Sequence, residues 1–178
     1  MSIHPENEFE LTNDEMHLYS RQILLDGWDI EAQEKLKLAN VLIIGAGGIG
    51  CTSAELLARA GVGKITIVDA DTIEMSNLQR QIAFTPNHIG RYKAEILAKH
   101  LQVINPHIHV SYKNIRFDET NADDLIQHQD VVLDGCDNFT TRYLANAICK
   151  KYQVPLISAS AIGFEGQMFM VESDSACY

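Results

Sequence analysis

The chain has 178 residues, enough for one domain with a sizeable core. Hydrophobic residues make up 46% and charged residues 21%, an ordinary globular composition, and 24 acidic against 14 basic residues give a net charge of −10 that opposes non-specific binding to nucleic acid or anionic lipid. No apolar run approaches the roughly 20 residues a spanning helix needs, and the acidic, polar start is the opposite of a secretory signal, which makes the cytoplasm the default compartment.

Residues 13–38 have helical spacing, with Met16, Tyr19, Ile23 and Leu24 as one apolar stripe and a break at Asp26-Gly27. Trp28 would anchor these helices to the domain. From Asn40 onward, apolar runs alternate with helical stretches. Strands are expected at 41–44, 64–68, 109–114, 130–133 and 155–158, and helices at 49–60, 88–104, 123–127 and 140–151. The 88–104 helix is read with Tyr92, Ile96, Leu97, Leu101 and Ile104 on its buried face. Near-continuous apolar strands separated by helices indicate a parallel sheet covered on both faces. Right-handed crossovers then give a doubly wound, mostly parallel α/β sheet of Rossmann-like type, with an N-terminal helical segment over 1–38 packed on a core domain over 39–178. Residues 166–172 read as an added strand able to pair antiparallel. Cysteines occur at Cys51, Cys136, Cys149 and Cys177 without a complete CxxC, so no disulfide framework or closed zinc site is visible, and the first three read as buried free thiols. His107 and His109 flank a strand start and read as solvated or partly buried side chains.

The sequence GAGGIG, Gly45 to Gly50, follows a strand and opens a helix. Gly45 permits a tight turn, Gly47 and Gly48 let backbone approach a phosphate, and Gly50 allows the helix to pack closely on the strand. The helix start offers unpaired N–H groups to an anion. Asp69 ends the next strand, where a carboxylate can accept from ribose hydroxyls. Together these features indicate a nucleotide, without choosing between NAD, FAD, S-adenosylmethionine and ATP. Beyond Asp69 the loop carries Asp71, Asn77, Arg80 and Gln81. Lys93 lies on the following helix, and Asp137-Asn138 closes a later strand at the same sheet edge. Taken singly, each has an ordinary reading: Arg80 and Lys93 as solvated cations, Asp71 as a turn residue, Asp137 or Asn138 as a helix cap.

Taken jointly, the motifs resemble the MoeB/ThiF/HesA family, relatives of the ubiquitin-activating enzymes, from about Met16 onward. The matching pieces are YSRQ at 19–22, GAGGIG at 45–50, VDADTIEMSNLQRQ at 68–81, IGRYKA at 89–94, DGCDNFTTR at 134–142 and GFEGQ at 163–167. The look is nearest to the molybdopterin-synthase branch. The resemblance implies an ATP-dependent adenylyltransferase that converts the C-terminal glycine carboxylate of a ubiquitin-like sulfur carrier (MoaD- or ThiS-like, ending in Gly-Gly) to an acyl-adenylate, in molybdopterin or thiamine biosynthesis. It implies that Asp69 holds the ATP ribose, that Asn77, Arg80 and Lys93 contact phosphates, and that Asp137 coordinates Mg²⁺. Arg21 would reach the ATP of the other subunit of a homodimer, and Gln81 and Asn138 would belong to the same pocket. These residue types suit the chemistry: the carboxylate nucleophile is already ionised, since a C-terminal carboxyl titrates near about 3.3–3.7, so positioning and charge cancellation replace a general base.

Cys177-Tyr178 is similar to the start of the family's four-cysteine zinc segment, which makes Cys177 the first Zn²⁺ ligand of a site whose remaining ligands, like the family's catalytic cysteine, would lie beyond this sequence. On that resemblance the chain is expected to be C-terminally truncated. Two other readings compete. An NAD-dependent oxidoreductase needs only the glycine turn and Asp69, and leaves Arg21, Arg80 and Lys93 unexplained. A non-catalytic module that docks a ubiquitin-like protein has no use for Asp137, Arg80 and Lys93.

Overall fold

A computed structural model describes residues 10–172. The short N-terminal helices come first: α1 (Asn13–Leu18), α2 (Ser20–Ile23) and α3 (Ile30–Leu38). Thr12 caps α1 in a reciprocal box with Glu15, and Asp29 caps α3 by accepting from the Ala32 amide. The chain then alternates between strand and helix through β1 (Asn40–Ile44), α4 (Gly48–Ala60), β2 (Lys64–Val68), α5 (Lys93–Ile104), β3 (His109–Lys113), α6 (Ala122–Ile126), β4 (Val131–Asp134) and α7 (Phe139–Tyr152). The last two strands are β5 (Leu156–Ile162) and β6 (Glu165–Val171).

One six-stranded sheet results, in the order β3-β2-β1-β4-β5-β6. All neighbours are parallel except β6, which pairs antiparallel with β5 over 165–171. The doubly wound class and the antiparallel final strand are therefore as the sequence implied. β1 is buried on both sides, and its alternation sorts the two cores. Val41 and Ile43 face a cluster built with Ile65, Ile67, α4 and α5, while Leu42 and Ile44 face one built with Val132, Leu156, α6 and α7. The chain winds from β1 towards β3 and then crosses back to β4 on the opposite side of β1. A crevice opens at that reversal, outside the carboxyl ends of β1 and β4. No helix among the described residues is long and apolar enough to cross a membrane.

Two local expectations fail. The helix expected from residue 88 starts only at Lys93, because residues 89–92 form a turn and a bridge to the preceding loop. Ile73 donates to Arg91 O, Gly90 donates to Ile73 O, and Thr72 bridges antiparallel to Tyr92, which is exposed. The N-terminal apolar stripe also dissolves. Tyr19 is buried, but Leu24 is 78% exposed and Met16 is exposed too. What these helices bury is polar: Gln33 donates to Ala60 O at 2.9 Å and accepts from Trp28 Nε1 and Gln22 Nε2, and Gln22 also donates to Ala60 O at 2.7 Å. Asn105 Nδ2 donates both to Tyr19 Oη and to Ala58 O, each at 2.7 Å. The carbonyls at the end of α4 are satisfied by side chains from elsewhere in the chain.

Candidate nucleotide-binding site

The glycine turn joins β1 to α4. Gly45 has φ +93°, and its amide donates to Val68 O of β2 at 2.9 Å. A Cβ at Gly50 would lie 1.8 Å from Gly45 O, so only glycine lets the helix leave the strand this tightly. No side chain caps the start of α4, which leaves its first amides for a ligand. A Cβ on Gly47 would meet nothing within 4 Å, so this edge of the turn is open.

Asp69 follows β2 and is locked to the turn. Its Oδ2 accepts from the Ala46 amide and its Oδ1 from the Asp71 amide, both at 2.7 Å. Burial pushes the Asp69 carboxyl above the ordinary range, against the pull of these two amides and of Lys93. Residues 71–73 pair with 90–93, so Lys93, the first residue of α5, arrives beside this loop. Its Nζ meets Asp71 Oδ2 at 2.9 Å and its amide donates to Asp71 O at 2.9 Å. Asn77 is buried and accepts from the Glu74 amide, ordering the loop that carries Arg80. Arg80 Nη1 donates to Ser76 O at 3.0 Å, and its Cγ lies 3.5 Å from where a Gly48 Cβ would stand. The Arg80 stem thus packs against the start of α4, with its guanidinium held at Ser76. Gln81 is buried, and its Oε1 has no hydrogen-bond partner among the described residues.

The other rim of the crevice is the loop after β4. Gly135 O lies 3.1 Å from the Cβ position of Gly45, so the two loops touch. Asp137 is exposed and makes no hydrogen bond or ion pair with any described residue. Asn138 caps α7 by accepting from the Thr141 amide at 2.9 Å, the ordinary role that sequence allows it. Cys136 donates its thiol to Asn138 O, and burial together with Asp134 pushes that thiol up to about 12. Cys51 and Cys149 are likewise pushed up to about 12, chiefly by burial. None of the three is a thiolate at neutral pH.

The structure therefore brings Gly45, Gly47, Gly48, Gly50, Asp69, Asp71, Asn77, Arg80, Gln81, Lys93, Asp137 and Asn138 to one sheet edge. Arg21 stays away. Its neighbour Gln22 is tied to Ala60, at the far end of the 13-residue α4, which is about 20 Å long at 1.5 Å per residue. Cys177 lies outside the described residues. Among the described residues no group of three or more His, Cys, Asp or Glu is placed to hold a metal.

Sequence motifs alone did not reveal the buried set beneath the β4 loop. Asp134 Oδ2 accepts from Arg142 Nε at 2.9 Å and from Ser158 Oγ at 2.6 Å, and Oδ1 accepts from the Cys136 amide at 3.0 Å. The available signal was an acid ending an apolar strand with an arginine eight residues on, inside a helix.

The family model described as the ThiF family matches residues 19–178. The chain is 44% identical over 171 residues to the molybdopterin-synthase adenylyltransferase of Salmonella typhimurium, covering 95% of this chain and 69% of that protein. It is 39% identical over 160 residues to the SAMP-activating enzyme E1 of Haloferax volcanii, covering 90% of this chain and 59% of that one. Among solved structures, E. coli tRNA N6-threonylcarbamoyladenosine dehydratase, TcdA, in complex with ATP superposes with a TM-score of 0.78 at 26% identity, covering 83% of this chain and 60% of that chain.

Proposed function

Because the chain belongs to the ThiF family, we propose that it is the nucleotide-binding core of an ATP-dependent adenylyltransferase that activates the C-terminal carboxylate of a ubiquitin-like sulfur carrier. The observation that carries this reading is the Arg80 side chain packed against the open N-terminus of α4, with Asp69 and the start of α5 at Lys93 beside it. A helix start plus two cations is a cradle for a polyanion, and a relative of this fold was solved with ATP.

In this reading the ribose hydroxyls donate to Asp69 and the phosphates lie along residues 47–48. The carrier's carboxylate attacks the α-phosphorus, pyrophosphate leaves, and an acyl-adenylate forms. Arg80 and Lys93 offset the repulsion between two anions, while Asn77 and Gln81 line the pocket; the unpartnered Gln81 Oε1 is an acceptor open to a ligand donor. The reaction needs no thiolate, in keeping with the protonated Cys136.

Mg²⁺ binds through one or two carboxylates together with substrate phosphates and water, and Asp137 fits that demand as an exposed carboxylate without a protein partner among the described residues. When bound, the ion neutralises phosphate charge. Arg21, fixed at the far end of α4, would serve the site of a second subunit, which is the support for a homodimer. The carrier would end in Gly-Gly, Zn²⁺ would belong to the four-cysteine segment that Cys177 begins, and the compartment would be the cytoplasm.

ATP–pyrophosphate exchange with MoaD-like and ThiS-like carriers tests the proposal. Carrier-dependent exchange that falls about 10²–10³-fold in Arg80→Ala establishes adenylation and names the carrier. ATP binding without exchange on either carrier would overturn it in favour of a docking module.

A further inference from the structure

We propose that Asp134, Arg142 and Ser158 form a buried clamp that positions the Asp137 carboxylate. All three are buried, and Asp134, the last residue of β4, is the Cα partner of Ser158, the third residue of β5. Their hydrogen bonds converge on the backbone of one residue. The Cys136 amide donates to Asp134 Oδ1 at 3.0 Å, and Cys136 O accepts from Arg142 Nη2 at 3.0 Å. Asp134 Oδ2 in turn holds Arg142 Nε and Ser158 Oγ, and Arg142 Nη2 also reaches Ala159 O at 3.4 Å. Both polar groups of residue 136 are thereby fixed by a desolvated ion pair whose own atoms are satisfied.

Asp137 is next in the chain. On its other side Asn138 is fixed by its cap on Thr141, and Asn138 O accepts from the Cys136 thiol. The result is an exposed, unengaged carboxylate on a backbone held before and after it. That arrangement suits a group that must meet a ligand in one geometry, and it would be superfluous for a side chain that only faces solvent. The ion pair acts through the loop. Asp134, Arg142 and Ser158 are positioning residues and do not touch the nucleotide. The clamp rests on the reading of Asp137 as the group that takes the divalent ion.

The test uses Ser158→Ala and Arg142→Lys, with Asp137→Asn as the benchmark and a thermal melt to establish folding. Ser158→Ala removes one hydroxyl and keeps the ion pair, so it serves if the lysine variant does not fold. Two quantities are measured: amide hydrogen exchange over residues 135–141, and Mn²⁺ affinity of the ATP-bound protein by electron paramagnetic resonance. The clamp predicts faster exchange at 135–141 with none at 45–50. It also predicts Mn²⁺ affinity weakened about tenfold, the usual cost of losing an outer partner of a metal ligand, with metal-free ATP affinity retained. Adding Asp137→Asn to Ser158→Ala should weaken Mn²⁺ no further than Asp137→Asn does alone. Unchanged exchange at 135–141 overturns the clamp, whatever the metal does. Faster exchange with Mn²⁺ affinity untouched in Asp137→Asn supports the clamp on the loop and overturns the reading of Asp137 as the metal residue. Additive losses in the double variant overturn action through Asp137.

Discussion

Asp71 and Lys93 are joined twice, by a 2.9 Å ion pair between side chains and by a 2.9 Å hydrogen bond from the Lys93 amide to Asp71 O. The pair is asymmetric: the lysine side chain is 10% exposed and the aspartate side chain 69%. The lysine stem is therefore packed while its ammonium sits at the rim of the crevice, where a phosphate can join or replace the carboxylate as its partner.

Lys93→Ala should consequently separate activity from stability. Asp71 is open to water and can rehydrate, so the lost pair and stem packing should lower stability by about 1 kcal/mol, a melting shift of roughly 2–4 °C. Carrier-dependent pyrophosphate exchange should fall about 10²–10³-fold, as when one charge-stabilising donor is removed. A loss below tenfold would mean that Lys93 does not reach the phosphates.

The two ends of the glycine turn should respond differently to a single methyl group. Gly50→Ala would place Cβ 1.8 Å from Gly45 O, a contact that only backbone movement relieves. Overpacking of this kind costs about 1–3 kcal/mol or more, and ATP binding should go with it. Gly47→Ala meets nothing within 4 Å and has no positive φ, so its melting temperature should match that of the parent. If phosphate lies against residue 47, Gly47→Ala should still bind ATP more weakly in a titration followed by calorimetry. Unchanged affinity would move the phosphates off this edge.

The contrast between these glycines also shows what sequence could deliver. β2 matches its expected span residue for residue, and the glycine turn stands where the motif implied, because apolar runs and glycine fingerprints record local constraints. The late start of α5 did not register, since hydrophobic periodicity cannot see the bridge and backbone hydrogen bonds between 71–73 and 90–93 that fix Lys93. The N-terminal helices misled for a related reason. They dock through Gln33, Gln22 and Asn105, and a rule that seeks apolar stripes passes over buried amides. Asp134, Arg142 and Ser158 were invisible as a set, because three strand and helix positions up to 24 residues apart meet only once β4 lies beside β5.

Glu15 gives the last prediction, because its carboxylate is nearly enclosed in α1 while holding three donors. Oε2 accepts from the Thr12 amide and hydroxyl, each at 2.9 Å, and from Lys37 Nζ of α3 at 2.8 Å. Burial pushes this carboxyl up, but the bonds from Lys37 and Thr12 outweigh it and hold it below the ordinary range. A value depressed on folding means that the folded state binds the proton less tightly than the unfolded chain. Its stabilisation is then complete above the unfolded value, about 4.3, and is lost as pH falls through the lower folded value. Glu15→Gln should be less stable than the parent at pH 7 by roughly 1.5–3 kcal/mol, the range for hydrogen bonds to a charged group. The gap between the two proteins should begin to narrow as pH falls below about 4.3 and close only below the lower folded value. Glu31→Gln is the control: its pair with Lys35 has side chains 73% and 72% exposed, and such pairs contribute about 0–1 kcal/mol. Thermal melts of the three proteins across this pH range decide the matter, and a Glu15→Gln deficit that persists undiminished into acid would assign the loss to packing instead of charge.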